Sequence, residues 1–436
     1  MPDVFEAIAD PTRRAILERL CARRPASLSE LAASLPMSRQ AVAKHLRVLE
    51  GARLVRRHAR GRERIHVVDT APLGQLARWH AAFDATREEG SAGTDTNGNP
   101  LEPILHASGV VVLDGGLATA LEAGGEVLDS SLWSARLLLD DPTAIQAVHR
   151  AYLEAGADCI TTASYQASFA GFAEAGLTEA DTVAALRRSS ELALAARDAF
   201  VAAGRALDGT SDEADPVQPL VAASVGPYGA HLADGSEYDG RYGVSRATLD
   251  EFHRRRFDVL ADTAVDLLAC ETIPSRMEVE VILDIVGDHP SAWAWIAFTC
   301  ADGARLRDGS DFTEAVAACN GHPRVAAVGV NCTHPRYVAE LTSRARSVTD
   351  LPIVVYANSG EDFDPETRRW RKPGRVGRGG GTWEGRRDPW LAGCRDSLAA
   401  GARVVGGCCR IGPEGIAQLR LALRGGDWSL DAFPER

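Results

Sequence analysis

Lysine is nearly absent from this 436-residue chain: Lys44 and Lys372 are the only two, and arginine supplies the rest of the positive charge. We read that bias as genomic composition rather than function. Long apolar runs are missing too, and no stretch approaches the ~20 apolar residues of a membrane-spanning helix. The opening residues, Met1-Pro2-Asp3-Val4-Phe5-Glu6, contain no basic segment followed by an apolar run, so no secretion signal and no membrane partner are expected. Nine cysteines, an odd count at irregular spacing, are too sparse for a disulfide framework. They lead us to expect reduced thiols in a cytoplasmic protein.

What is present is ordinary for a soluble globular protein: 45% hydrophobic and 25% charged residues. The length exceeds what one core organises, so two or three domains are expected. The net charge of −12 conceals a split. Residues 1–90 hold 16 Lys and Arg against 11 Asp and Glu, a net +5, and the remainder holds 32 against 49, a net −17. A basic first module joined to an acidic body implies that only the first part meets a polyanion.

Within that module, apolar residues at helical spacing predict two helices over 3–22, broken at Asp10-Pro11-Thr12. A short helix follows over 27–34, then a turn at Leu35-Pro36-Met37. Ser38 then caps a helix over 39–51 whose inner face carries Val42, Leu46 and Leu49. Its other face offers Arg39, Gln40, Lys44 and His45. Helix, tight turn and helix with polar side chains near the second N-terminus is the pattern that sets a recognition helix in the major groove of DNA. Two β-like runs, 54–57 and 64–68, flank a Gly-containing, Arg-rich hairpin over 58–63, where Arg60 and Arg62 are placed to follow the phosphate backbone. Residues 72–89, with Leu73, Leu76, Trp79 and Phe83 on one stripe, read as a closing helix. That stripe serves either a dimer interface or the module's own core.

The module resembles the ArsR family of winged helix-turn-helix repressors over roughly residues 1–88. The resemblance rests on Ala9-Asp10-Pro11-Thr12-Arg13-Arg14, Leu28-Ser29-Glu30-Leu31-Ala32, and Ser38-Arg39-Gln40-Ala41-Val42-Ala43-Lys44-His45-Leu46. It implies a homodimer, formed through this module, that reads an operator with two half-sites.

The domain limits read from sequence are 1–89 for this module, 90–103 for a polar, Gly-rich linker, 104–425 for the body and 426–436 for a tail. In the body, apolar strand-like runs appear at 110–113, 159–162, 220–224, 267–270, 293–299, 325–331, 353–356 and 403–406. Amphipathic helical stretches lie between most of them, at 142–155, 178–203, 245–263, 276–286, 335–345 and 390–400. Eight such repeats predict an α/β fold, the (β/α)8 TIM barrel. A doubly wound open sheet is the alternative, although no Gly-x-Gly-x-x-Gly follows the first strand as a dinucleotide fold would have it.

In a barrel, catalytic groups collect at the C-terminal ends of the strands. Three cysteines fall there: Cys332 on the sixth strand end, and Cys408 and Cys409 on the eighth, after Gly406-Gly407. Free cysteines are commonly core residues. Three thiolates converging on one point would instead hold a zinc ion and leave its fourth position open, as catalytic sites do. Gly406 and Gly407 provide freedom either to turn the chain or to approach its neighbours. Cys159 and Cys270 lie inside apolar runs, Cys319 and Cys394 fall on helical stretches, and Cys300 is an outlying candidate at a strand end.

Zinc with three thiolate ligands is a poor activator of water but deprotonates a substrate thiol outright. The reaction expected is attack of that thiolate on an activated carbon such as a methyl group. Asp114 and Glu271, at other strand ends, are placed to bind a substrate ammonium, or else cap loop backbone.

Residues 104–425 resemble the homocysteine S-methyltransferase family of zinc-dependent barrels. The motifs are Asp114-Gly115-Gly116-Leu117-Ala118-Thr119, Leu132-Trp133-Ser134, Thr161-Thr162-Ala163-Ser164-Tyr165-Gln166, and Ser224-Val225-Gly226-Pro227-Tyr228-Gly229. They continue with Glu271-Thr272, Gly329-Val330-Asn331-Cys332 and Gly406-Gly407-Cys408-Cys409-Arg410. The resemblance implies Zn2+ on Cys332, Cys408 and Cys409 with the homocysteine sulfur as fourth ligand, and the homocysteine amino group on Asp114 and Glu271. Methionine is the product. The compact domain resembles members that take the methyl group from a sulfonium donor, S-methylmethionine or S-adenosylmethionine. An Arg/Gly-rich segment, 370–387, lies near where donor recognition is expected. Fused to the DNA-binding module, the barrel reads as a working enzyme, or alternatively as the homocysteine or sulfonium sensor of a repressor.

Overall fold

The computed structural model describes residues 7, 10–23, 26–33, 37–60, 63–68, 98–126, 134–204, 217–232, 234–364, 369–371 and 388–424. The chain divides into two compact units, Met1–Gly93 and Thr94–Arg436.

In the first unit the helix Pro11–Arg23 begins where the Asp10 carboxylate accepts hydrogen bonds from the Thr12 and Arg13 amides, at 2.8 and 3.1 Å. The helix Leu28–Ala33 opens with a capping box: the Ser27 amide donates to Glu30 at 2.6 Å and the Glu30 amide to Ser27 Oγ at 3.3 Å. Ser38 Oγ accepts from the Ala41 amide and starts the helix Arg39–Gly51. Its buried face, Val42, Leu46 and Leu49, packs on Ile16, Leu20 and Leu31. Strands β1 (Ala26–Ser27), β2 (Val55–Arg60) and β3 (Glu63–Val68) form an antiparallel sheet in the order β1-β3-β2. The pairing of β2 with β3 runs out to Arg60 opposite Glu63. The described residues of the Arg-rich hairpin expected over 58–63, residues 58–60 and 63, thus lie in paired strands. The segment 72–89, the Leu132-Trp133 part of one motif and most of the Arg/Gly-rich segment lie outside the described residues.

The second unit is built on eight parallel strands: β4 (Val111–Val112), β5 (Cys159–Thr161), β6 (Leu220–Val225), β7 (Leu267–Ile273), β8 (Ala294–Phe298), β9 (Val325–Asn331), β10 (Ile353–Ala357) and β13 (Ala402–Gly407). A short hairpin of β11 (Asp362–Asp364) and β12 (Arg369–Arg371) is inserted after β10. The sheet order is β4-β13-β10-β9-β8-β7-β6-β5. A parallel bridge between Leu113 and Cys159 joins its two edges, with the Asp114 amide donating to Cys159 O at 3.0 Å. The expected TIM barrel is thus the fold, and the open-sheet alternative fails because the sheet has joined edges.

Alternation along the strands divides the core. On β8, Ala294, Ile296 and Phe298 pack outward against helices, while Trp295 and Ala297 point into the barrel. Asp158 reinforces the closure. One of its carboxylate oxygens accepts from the Val112 amide at 2.8 Å and the other pairs with Arg420 of the helix Pro413–Arg424.

The segment read as linker ends in ordered barrel structure. Asn99 Nδ2 donates to Ala326 O at 2.9 Å, and Leu101 is fully buried in the inner cluster with Ile104 of the helix Glu102–Ser108. Leu101 and Ile104 fill apolar space inside the barrel, which is why a stretch with polar neighbours is ordered. Among the described residues no helix is long and apolar enough to cross a membrane.

Candidate active site

At the C-terminal end of β13 the chain turns at once. Cys408 and Cys409 follow Gly407, the Ile411 amide donates back to Cys408 O at 3.1 Å, and Arg410 takes a φ of 68°. This turn brings two adjacent side chains to one point. Gly406 and Gly407 do not make the turn themselves. They allow close approach: a Cβ on Gly406 would meet Leu113 and Asp114 O, and one on Gly407 would meet Ile411. Cys332, after β9, has a φ of 47°, in the left-handed region that side chains other than glycine rarely occupy. Its Sγ lies 2.9 Å from Cys408 Sγ and 3.4 Å from Cys409 Sγ. All three sulfur atoms fall within 4.8 Å of one another.

The electrostatics of this trio differ from those of the other described cysteines. Hydrogen bonds from the Cys408 and Cys409 thiols hold the Cys332 thiol well below its usual range. Cys408 and Cys409 are pushed up in turn, because thiols this close share one negative charge before accepting a second. Burial pushes Cys159, Cys270, Cys300, Cys319 and Cys394 up, Cys319 to about 12. Cys300 remains outside the cluster, buried and bridged to Leu306.

Asp114 and Glu271 line the same cavity as the three cysteines. Asp114 accepts from the Thr161 amide at 2.7 Å and from the Thr161 hydroxyl at 3.1 Å, tying the first strand end to the second. Burial nevertheless pushes its carboxyl well up, and Glu271 adds to that. Glu271 follows Cys270 on β7. Burial pushes it up to about 7, against the pull of a hydrogen bond from the Ser224 hydroxyl. A second bond comes from Tyr356, whose hydroxyl oxygen already accepts from Trp295 Nε1 at 3.1 Å and so has its proton free for Glu271. Two buried carboxyls with no cation beside them among the described residues form a site that gains from the arrival of an ammonium group.

Several contributors had no assigned role in the sequence. Asn331 accepts from the Thr272 amide at 2.6 Å and donates to the Thr272 hydroxyl at 2.8 Å, bracing the strand end that carries Glu271 against the one that carries Cys332. Thr272 has a φ of 61°, and the β7–β8 register shifts between Cys270 and Ile273, so the brace holds a local kink. Asn331 next to Cys332 was the available signal. Tyr238, whose hydroxyl lies 3.5 Å from Cys332 Sγ, comes from a short 3-10 turn, Ser236–Tyr238, in a segment with no periodicity to mark it.

In the first unit, Arg39, Gln40 and Lys44 are exposed on the helix that Ser38 caps. His45 is half-buried and faces Asp10, with Nδ1 3.9 Å from Oδ1. Arg56, Arg57 and Arg64 add exposed charge along β2 and β3. The Arg60 side chain and all of Arg62 lie outside the described residues.

Comparison with known proteins agrees with this arrangement. The homocysteine S-methyltransferase family model matches residues 111–423, and a helix-turn-helix domain model matches residues 8–58. The homocysteine S-methyltransferase YbgG of Bacillus subtilis (strain 168) is 40% identical over 329 residues, 74% of this chain and 96% of that protein. The homocysteine S-methyltransferase of Escherichia coli (strain K12) is 42% identical over 326 residues, 74% of this chain and 98% of that protein. The crystal structure of the metallated homocysteine methyltransferase MmuM from Escherichia coli superposes with a TM-score of 0.63 at 41% identity, covering 74% of this chain and 99% of that one. With a parallel barrel, a converging thiol trio and a family match across the whole barrel, the chain belongs to the homocysteine S-methyltransferase family, and it carries a helix-turn-helix domain ahead of the barrel.

Proposed function

We propose that the barrel transfers a methyl group from a sulfonium donor, S-methylmethionine or S-adenosylmethionine, to the sulfur of homocysteine, with methionine as product. The observation that carries the reading is the convergence of Cys332, Cys408 and Cys409 in one cavity with Asp114 and Glu271. The donor set fits a zinc ion. Three sulfur atoms lie within one coordination sphere, one of them already inclined to the thiolate, and three protein ligands leave a position for a substrate. Zinc held there would keep the homocysteine sulfur as a thiolate at neutral pH. The remaining work falls to this chain's own groups. Asp114 and Glu271 receive the ammonium of homocysteine and so fix where its sulfur lies. Thr161, Ser224 and Tyr356 fix the two carboxyls, and Asn331 holds Glu271 and Cys332 at a constant separation. Reduced thiols suit a cytoplasmic setting.

For the first module, residues 1–89, we propose operator binding as a homodimer, with Ser38, Arg39, Gln40, Lys44 and His45 at the groove and Arg60 and Arg62 along the backbone. The exposed positions of Arg39, Gln40 and Lys44 support this.

The test is to load purified protein with zinc, supply homocysteine with each sulfonium donor in turn, and measure methionine. Methionine formed from at least one donor, and lost on chelation, is the expected result. Zinc-loaded protein that binds homocysteine but forms no methionine from either donor overturns the reading.

A further inference from the structure

Beside Asp114 and Glu271, two carboxylates that the reading above does not use line the cavity: Asp234, which is exposed and accepts from the Ser236 amide at 2.9 Å, and Glu237. Glu237 lines it together with Asp114, Glu271 and the thiol cluster. Its Oε2 is shut off from solvent and has no hydrogen-bond partner among the described residues. Asp114 and Glu271 differ in this respect, since each is bonded to neighbouring strand ends.

The position of Glu237 is built by the fold. The segment that carries it leaves β6 at Gly226 and is fastened at both of its ends. Arg256 Nη2 donates to Gly226 O at 2.7 Å, the Tyr228 amide donates to Glu278 Oε1 at 2.6 Å, and the Tyr242 hydroxyl donates to Glu278 Oε2 at 3.2 Å. Arg256 also donates to His253 Nδ1 at 3.0 Å, which leaves His253 Nε2 to donate to Glu278 at 2.8 Å. Arg256, His253 and Glu278 are all buried. Between the fastenings, the turn Ser236–Tyr238 rests on Gly229, where any Cβ would collide with the Glu237 amide. This buried network presents Glu237 and Tyr238 to the cavity, with Tyr238 beside Cys332.

Resting on the proposed reaction, we infer that Glu237 selects the methyl donor by its sulfonium charge. Homocysteine brings one cationic group, its ammonium, and Asp114 and Glu271 suffice for that. A sulfonium amino acid brings two. The second has no N–H or O–H to offer, so it cannot satisfy a hydrogen-bonding site. It is recognised by negative charge and by aromatic faces. Glu237 supplies the charge, and Tyr165 and Tyr238 supply aromatic side chains in the same cavity. The adjacency of Tyr238 to Cys332 places this cation-holding group beside the sulfur cluster where the nucleophile is held. Glu237 is a binding residue for the donor and leaves homocysteine untouched.

The test compares two ligands with homocysteine saturating, so that its own site is filled. They are S-methylmethionine, read by its KM, and methionine, read by its inhibition constant against that donor. Methionine has the same ammonium and carboxylate but no charge on sulfur. Wild-type protein is expected to prefer the sulfonium. Glu237→Gln should shrink the preference by about tenfold or more, as loss of a desolvated charge partner does, and Glu237→Asp should retain part of it. The KM for homocysteine should stay within about twofold in both variants, which also shows that the site is folded. If both ligands weaken together, Glu237 holds the ammonium and the inference is overturned. An unchanged preference overturns it too. Wild-type protein that uses no sulfonium donor defeats the proposed reaction itself, and that result is read before any variant is made.

Discussion

Isolated buried thiols in this barrel favour the neutral form, and the clustered Cys332 favours the thiolate. Burial pushes up Cys159, Cys270, Cys300, Cys319 and Cys394, whereas Cys332 is held low by its two neighbours. Removing one neighbour therefore removes a proposed zinc ligand and also weakens the thiolate that remains. We expect Cys408→Ser to reduce zinc affinity by more than about a hundredfold, beyond the loss of an outer hydrogen-bond partner. Metal analysis after dialysis reads this directly, with the far-ultraviolet spectrum unchanged because Cys408 is only half-buried. Glu271 gives a second expectation. Burial pushes it up to about 7, so below that pH the free protein carries it protonated and neutral. In the proposed binding mode the ammonium of homocysteine needs the charged form, so binding should weaken as pH falls through about 7 and strengthen above it. The KM for homocysteine, measured from pH 6 to 8, should rise about tenfold per unit on the acid side. Glu271→Gln should raise the KM throughout and flatten that dependence. A KM that stays pH-dependent in the variant would assign the titration to another group.

The strands owe their positions to side-chain size as much as to pattern. On β9, Gly329 lies against β10 so closely that any Cβ would run into Val354 O. Gly329→Ala should therefore destabilise the barrel by about 1–3 kcal/mol, the usual penalty of overpacking, and chemical denaturation with zinc removed would read it. An unchanged midpoint would show that β9 and β10 can move apart. Gly329 also illustrates what the sequence discloses. Its run, 325–331, is recognisable as a strand because barrel strands are buried on both faces and read as continuous apolar stretches. The same reasoning located all eight strands to within a few residues, and with them the strand ends where Asp114, Glu271, Cys332, Cys408 and Cys409 meet. What stayed hidden depends on contacts between distant parts of the chain. The Asn331–Thr272 brace spans 59 residues and leaves no periodic trace. Glu237 and Tyr238 owe their place to Gly229 and to a buried network on two helices, Arg246–Leu260 and Arg276–Asp288. The boundary of the linker was hidden for a similar reason. Leu101 and Ile104 look like isolated apolar residues until the inner cluster of the barrel is there to receive them.

At the scale of the molecule, charge separates what the two units can do. Residues 1–90 carry +5 and the rest −17, so a polyanion is attracted to one part and repelled by the other. Counterion release then makes DNA affinity fall steeply with salt, whereas transfer of a methyl group between small amino acids in a recessed cavity has no such dependence. The two proposed activities of this chain should accordingly separate on a salt titration. Between 50 and 200 mM salt, DNA affinity should fall by about a hundredfold or more, while kcat/KM for homocysteine changes by less than about twofold because the reacting groups are buried. Arg60→Ala should reduce the slope of log affinity against log salt by about one, as loss of a single phosphate contact does, and leave methyl transfer unaltered. Fluorescence anisotropy with DNA from upstream of the gene and a methionine assay on the same preparation measure both. An Arg60→Ala slope equal to that of the wild type would take Arg60 off the phosphate backbone. A methyl-transfer rate that fell in step with DNA affinity would show that the barrel depends on the module in front of it.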